Sequence, residues 1–409
     1  MALRRQLRLL SGNASFRKLF VATFGSAVGT WLAVIALQVD VADRTHSGPW
    51  VAALLVANIV PSIAFGLVLG PLVDRLSRKW LMIGSDLARV AVFVALPFVG
   101  SATAVVVLAF AAGVATAVFR PAVLAGLPNM VAHEDVAEAN STLQLSEWAA
   151  TAGGPLAGGA LVAASGPHLA YWLNAATFLV SAILVLQIPA RLLQSEQSLS
   201  RGHWRDLAEG FEAVRASRAL VTVLVAWSIV MVATGGVNVS EIFLARVSYD
   251  AGDFGFGLLW AASGVGLVIG SLVAPAQIEK RGLPALYPLA LAIFAAGIGL
   301  AAAAPDVWLG AAAMVIAGVG NGSAVIANFT FIQRAAPDRL RGRVFTLLMS
   351  ATYGVLLVAF VAAGPANDAV GARWVYAGAA AANIMAAAVA FALGRGVVPT
   401  AEPASRPAT

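Results

Sequence analysis

Charged side chains are scarce in this chain, so the few whose type and spacing could do chemistry stand out. Residues 70–79 read Gly-Pro-Leu-Val-Asp-Arg-Leu-Ser-Arg-Lys, a turn-forming segment carrying Asp74, Arg75, Arg78 and Lys79 between two apolar runs. Such a cluster reads either as topological charge at a turn or, through Asp74, as a carboxylate that can latch onto the partly positive N-terminus of another helix. Asp86 and Arg89 stand at i and i+3, on one helical face. Within an apolar run they are expected to form a buried ion network with each other or with a neighbour such as Arg75 or Arg120. Glu147 also lies in an apolar run and can carry a proton or a cationic substrate if it faces a cavity; the alternative is an ion-paired or interface role. Asp40 and Glu241 are 201 positions apart, each near the end of an apolar run and close to Arg44 and Arg246. They are expected to flank an outer mouth, titrating or pairing with those arginines as it opens, with plain hydrated helix ends as the alternative.

The same inventory argues against an enzyme. His46, His133, His168 and His203 show no paired ligand spacing, so neither metal nor cofactor is expected. A Gly-x-x-x-x-Gly-Lys-Ser/Thr loop is absent, which argues against ATP-driven transport by this chain alone. No cysteine occurs, so disulfide and thiol chemistry are out.

The elements that must position these groups are membrane spans. The chain is 60% hydrophobic and 11% charged with a mean hydropathy of +0.85, against roughly 25% charged in soluble proteins. Apolar stretches of about 20 residues, the length that crosses a hydrocarbon core of about 30 Å as a helix, fall near 18–42, 50–73, 80–100, 103–127, 140–164, 168–189, 219–244, 255–277, 284–304, 307–332, 343–365 and 372–394. Sustained period-two alternation is missing, which disfavours a barrel and leaves helices. The expected fold is an all-α integral membrane protein of twelve transmembrane helices. The first run is long and is followed by many more, so it reads as a retained anchor and not as a signal peptide.

Lys and Arg in short loops set orientation. Arg4, Arg5, Arg8, Arg17, Lys18, Arg75, Arg78, Lys79, Lys280, Arg281, Arg334, Arg339, Arg341 and Arg343 fall on one side, whereas Arg44, Arg246 and Arg373 fall on the other. Both termini are therefore expected in the cytoplasm, with the chain in the cytoplasmic (inner) membrane. The net charge of +6 is largely topological, so the lipid bilayer and not nucleic acid is the expected partner.

The spans repeat. Gly66, Gly70, Leu72 and Val73 return as Gly266, Gly270, Leu272 and Val273; Gly113-Val114 as Gly318-Val319; and Trp172 as Trp374. Parallel repeats of this kind imply two six-helix bundles with pseudo-twofold symmetry about an axis along the membrane normal, a site between them and alternating access by rocking. The expected organisation is a bundle over 1–190, a cytoplasmic linker over 191–218, a second bundle over 219–396 and a disordered tail over 397–409. Trp204, Leu207, Phe211 and Val214 fall on one helical face of the linker, as in an amphipathic helix at the membrane surface. Ala274 stands where the repeat would place a second Asp74, so a latch there would be one-sided.

Gly70-Pro-Leu-Val-Asp74-Arg75-Leu-Ser-Arg78-Lys79 resembles the signature loop between spans 2 and 3 of the major facilitator superfamily, with Ser77 replacing the usual glycine. Other pieces resemble its branch of macrolide efflux pumps and the enterobactin exporter: Asn13 to Leu19 with Trp31, Asp86-Leu-Ala-Arg89, Arg120-Pro-Ala, Ala139-Asn140-Ser141, Trp204-Arg-Asp-Leu-Ala-Glu-Gly-Phe and Arg341-Gly-Arg343-Val344. Gly153-Gly154-Pro155-Leu-Ala-Gly158-Gly159 is similar to the core of the antiporters' span 5 motif, although Ala150 stands where an earlier glycine is usual. The resemblance implies a secondary transporter in which spans 1, 4, 7 and 10 line a central cavity, and it makes Asp74, with Gly70, Arg75, Arg78 and Arg343, the gate. Span 4 lacks the mid-membrane arginine of many proton-driven members, so protons as coupling ion are compatible and not demanded.

The expected activity is export of a small amphipathic organic molecule, a drug, siderophore or similar, with an importer of a small metabolite or a lipid flippase as the alternative. Trp31, Gln38, Asn58, Asn238, Asn321, Asn328 and Phe329 are candidate cavity residues, a mixture of aromatic and amide groups suited to a moderately polar cargo. A receptor or scaffold fits poorly with duplicated halves and buried ionisable groups. Nothing asks for an oligomer, so a monomer is expected.

Overall fold

A computed structural model describes residues 2–68, 76–193, 211–336 and 340–394, and these residues are nearly all helical. In chain order they form α1 (Ala2–Gly12), α2 (Ala14–Thr45), α3 (Gly48–Val68), α4 (Arg78–Ala95), α5 (Ala102–Gly126), α6 (Val136–Ser165), α7 (Pro167–Leu186), α8 (Arg218–Phe243), α9 (Gly252–Arg281), α10 (Leu283–Ala303), α11 (Val307–Ala335), α12 (Arg341–Val370) and α13 (Ala372–Gly394). Among the described residues, 10 of these helices are long and apolar enough to cross a membrane. α3 falls short because its described apolar part ends at Pro61. α6 falls short because Glu138, Asn140, Gln144 and Glu147 occupy its first half.

The helices overrun the apolar stretches by up to a turn because polar residues cap them outside the hydrocarbon. Asn13 accepts from the Phe16 amide at 2.9 Å and donates to the Met130 carbonyl at 2.7 Å. Asp306 accepts from the Trp308 and Leu309 amides at the start of α11. The bonds accepted by Asn13 and Asp306 satisfy donors that the first helical turn leaves open. α1 has no counterpart among the expected elements, since residues 1–12 are too polar to read as a span.

Helix packing repeats with the sequence. α2 packs on α6 and α7, α4 on α5 and α7, and α3 on α5; the same pairings recur as α8 on α12 and α13, α10 on α11 and α13, and α9 on α11. The repeated glycines sit at equivalent crossings. A Cβ at Gly113 would lie 3.2 Å from the Asn58 carbonyl of α3, and one at Gly318 would lie 2.2 Å from the Ser263 carbonyl of α9. Small residues here let two backbones approach, which is how helices gain packing energy where lipid is as apolar as leucine.

Two further pairings, α6 on α9 and α3 on α12, join the first set of helices to the second. Gly159 and Gly257 meet at the first of these, with their Cα atoms so placed that a Cβ on either would fall 2.8 Å from the other residue's Cα. The end of the molecule carrying Arg17, Arg78, Lys79, Lys280, Arg281, Arg341 and Arg343 is called the basic end, and the opposite one, with Asp43, Gly48, Arg246 and Asp368, the far end.

Candidate functional site

A cavity of about 810 Å³ lies in the basic-end half of α2, α4, α5 and α6. That volume suits a drug-sized ligand, for which pockets of roughly 300–1,000 Å³ are usual. Trp31 and Trp148 give it aromatic walls, and Thr116, Gln144 and Thr151 add hydroxyl and amide groups. Arg120 Nη2 pairs with Glu147 Oε2 at 3.1 Å across the wall, and Gln144 donates to the same oxygen at 3.5 Å. The side chains of Arg120 and Glu147 are 64% and 41% exposed, so both charges remain available to a guest. Asn140, Gln144, Glu147 and Thr151 follow one another at helical spacing along α6, a polar stripe that is legible in the sequence but absent from the expected cavity set, Glu147 apart.

Glycines seat the aromatic wall. Gly154 leaves room for the Trp31 Cβ, which would stand 2.5 Å from a Cβ added there. Trp31 in turn meets Trp260 of α9, with ring centroids 5.5 Å apart and planes tilted by 55°. The Gly-Gly-Pro-Leu-Ala-Gly-Gly run thus serves both faces of α6: Gly154 and Gly158 receive α2, while Gly159 meets α9.

The expected ion network is smaller than its sequence reading. Asp86 Oδ1 and Arg89 Nη2 are 2.5 Å apart, and Ser181 of α7 donates to Asp86 Oδ2 at 2.7 Å. The Arg89 guanidinium lies between the rings of Phe119 and Phe178, at 4.6 and 4.1 Å from their centroids. Both charged residues are buried. Arg120 does not join them: it follows Phe119 directly in α5 and reaches Glu147 instead.

Of the gate, Gly70, Asp74 and Arg75 lie outside the described residues, as do Trp204 and Leu207 of the linker; residues 211–216 are helical. Arg78 donates to the Ala125 carbonyl at 2.9 Å and the Leu193 carbonyl at 3.3 Å, and Lys79 to those of Leu186 and Ile188 at 2.7 and 2.8 Å. These cations tie the start of α4 to the ends of α5 and α7, where carbonyls lack intrahelical partners. Arg343 is half-buried in the first turn of α12.

At the far end Asp40 accepts from the Arg44 Nε at 2.7 Å and from the Tyr171 hydroxyl at 3.0 Å. Glu241 departs from expectation. It is 2% exposed, its Oε1 has no hydrogen-bond partner, and Arg246 pairs elsewhere, with Asp43 of α2 at 2.5 Å and Asp253 of α9 at 3.3 Å. Nearby, the Gly48 amide and Ser47 hydroxyl donate to Asp368 of α12 at 2.8 and 3.3 Å.

The amide candidates do not line the described cavity. Asn58 donates to Leu54 O within its own helix at 3.0 Å, Gln38 is buried, Asn238 is half-buried, and Asn328 is fully buried with both side-chain polar atoms unpartnered. Asn321 and Phe329, in α11, are likewise absent from its lining.

The sequence profile of the Major Facilitator Superfamily matches residues 19–355. The chain is 25% identical over 362 residues to the uncharacterized MFS-type transporter YfiS of Bacillus subtilis, covering 86% of this chain and 85% of that protein. It is 28% identical over 346 residues to the enterobactin exporter EntS of Salmonella typhimurium, covering 82% of each. The crystal structure of the nucleoside transporter NupG shares its fold at a TM-score of 0.74 and 15% identity, over 93% of this chain and 98% of that one.

Proposed function

Because this chain belongs to the Major Facilitator Superfamily, and is thus a multi-pass membrane transporter and not an enzyme, we propose that it exports a small amphipathic organic molecule by alternating access. The observation that carries this reading is the cavity: about 810 Å³, walled by Trp31 and Trp148, with one accessible charge of each sign at Arg120 and Glu147. An aromatic wall takes up a flat apolar body, while a partly hydrated ion pair can be opened by a polar group of either sign at little cost. The enterobactin exporters among the relatives support the outward direction.

In this reading α2 to α7 and α8 to α13 are two six-helix bundles of a twelve-span transporter related by a pseudo-twofold axis, and the recurring helix pairings support that symmetry. The chain acts as a monomer in the cytoplasmic membrane with both termini inside, as the charge bias between the two ends supports. Asp74 latches the basic end against the first turn of α12, and protons drive the exchange. The far end closes through Arg246 with Asp43 and through Asp368 with Ser47 and Gly48.

The test is expression in an efflux-deficient bacterium challenged with a broad panel of antibiotics, dyes and siderophores, with and without a protonophore. Raised tolerance and lowered accumulation of at least one compound, abolished by the protonophore, is the expected result. No change for any compound refutes export, and raised accumulation points to import.

A further inference from the structure

The two halves treat the same acid differently at the far end. In the first half Asp40, Arg44 and Tyr171 form a closed set. The second half has Glu241 and Arg246, and Tyr376 is the fifth residue of α13 as Tyr171 is of α7, yet here nothing is closed: Glu241 Oε1 and the Tyr376 hydroxyl are both buried without partners, and the arginine has gone to the other half of the molecule. The cause lies in the backbone. Arg44 follows Asp40 by four residues, about 40° round an α-helix of 3.6 residues per turn, and the two pair. Arg246 follows Glu241 by five, and the helix carries a π segment over Leu244–Ser248, which includes Arg246. From that segment Arg246 pairs with Asp43 and Asp253.

A carboxylate enclosed in protein at membrane depth with no cation beside it is too costly to stay charged, so with Arg246 engaged elsewhere Glu241 holds a proton. We propose that Glu241 is a proton-binding site that competes with Asp43 for Arg246, so that proton binding closes the far end and proton loss opens it. When Glu241 gives up its proton, its carboxylate draws Arg246 off Asp43 and the ion pair joining the two halves is broken. When it is reprotonated, Arg246 returns to Asp43 and Asp253. π segments suit this role because a single extra residue can be absorbed or released locally.

The surroundings leave Glu241 as the group that changes. On α13 the Tyr376 hydroxyl is buried without a partner, and just past the π segment Tyr249 donates its hydroxyl to the Ala301 carbonyl and holds its ring 5.3 Å from the Arg373 guanidinium. Arg373 is itself held by the carbonyls of Ala302, Ala304 and Ser248. α3 brings no charge. Among the acids on neighbouring helices, Asp40 is held by Arg44 and Tyr171, Asp43 and Asp253 by Arg246, and Asp368 by Ser47 and Gly48. Asp306 caps α11. His46 and His168 also lie at this end and must be controlled for.

The inference rests on the alternating-access reading but not on the identity or direction of the cargo, so it is tested without cargo. The chain has no cysteine, so spin labels can be placed at Ala164→Cys on α6 and Val370→Cys on α12, both exposed at the far end. Their separation is measured by double electron–electron resonance on the full chain in lipid nanodiscs between about pH 5 and pH 9; one proton linked to opening changes the ratio of open to closed forms by up to about tenfold per pH unit. We expect that ratio to rise with pH, to be fixed at its low-pH value in Glu241→Gln, and to be shifted toward open at every pH in Asp43→Asn. The His46→Gln, His168→Gln double variant should respond as the parent does. Absence of a pH response in the parent, its survival in Glu241→Gln, or its loss in the histidine variant overturns the proposal. Should Glu241→Gln not fold, Arg246→Gln serves in its place, since without the arginine the response must vanish. Failure of every compound in the export panel would refute the exporter and leave these distances unchanged.

Discussion

Removing Asp86 should expose how strongly the buried pair in the first half depends on being complete. In Asp86→Ala the Arg89 guanidinium loses its contact at 2.5 Å and keeps only the Ser85 carbonyl at 3.4 Å and the faces of Phe119 and Phe178. Breaking a buried pair from one side costs about 3–5 kcal/mol, since the remaining charge is uncompensated; two cation–π contacts recover about 1–2 kcal/mol each at most and are already present in the parent, so they do not reduce the loss. At about 2 °C per kcal/mol, the lower end for domains of 150–250 residues, melting should fall by about 6–10 °C. Ser181→Ala removes one hydrogen bond to a charged group and should cost only about 1.5–3 kcal/mol. The decisive variant is Asp86→Leu with Arg89→Met, which removes both charges and should recover most of the loss, because a buried pair gains little over apolar residues of similar volume. Melting is followed by fluorescence-detected size exclusion in detergent. A double variant as unstable as the sum of the two single ones would refute the uncompensated charge as the cause.

Arg120→Gln and Glu147→Gln should leave melting within about 1 kcal/mol of the parent, as for other exposed pairs, yet lower export at least severalfold in the accumulation assay. Trp148→Ala should raise the concentration for half-maximal transport by about two- to tenfold, the equivalent of one aromatic contact of 0.5–1.5 kcal/mol, with less effect on the maximal rate. Gly318→Val should abolish the monodisperse protein peak, because its Cβ would stand 2.2 Å from the Ser263 carbonyl, whereas Gly153→Ala, which meets open space, should be neutral. Asp74→Asn should impair transport far more than Ala274→Ser in the same assay.

What the sequence discloses depends on how local the cause is. The helices are legible because apolar runs of span length have one stable solution in lipid. Asp86 with Arg89 is legible because both lie one turn apart on the same helix. Arg120 is misassigned from sequence because its partner, Glu147, sits on another helix, and helical spacing does not say which helices face each other. For the same reason Ser181, Phe119 and Phe178 do not stand out. Asn58 and Asn328 join the cavity candidates on residue type alone, while Thr116, Gln144, Trp148 and Thr151, which line it, do not. α1 is hidden because its basic residues resemble a topological flank. The π segment has a visible trace: Asp40 and Glu241 are 201 positions apart but Arg44 and Arg246 are 202, so one residue enters between acid and base.

That slip bears on how the duplicated scaffold can work as a transporter. Packing is repeated helix for helix, down to the crossings at Gly113 and Gly318, so a rocking motion meets similar resistance in either half. Charge is not repeated: Ala274 answers Asp74, and a partnerless Glu241 answers the closed set of Asp40, Arg44 and Tyr171. If both halves carried the same latch at the same end, opening would require two ion pairs to break together, and the energies would add. With one proposed latch at each end, Asp74 from the first half and Arg246 from the second, breaking one can be offset by making the other. An ion pair of modest strength then suffices to bias a balanced equilibrium. A proton at Glu241 is well placed to tip it, because it acts on the arginine that the two halves share.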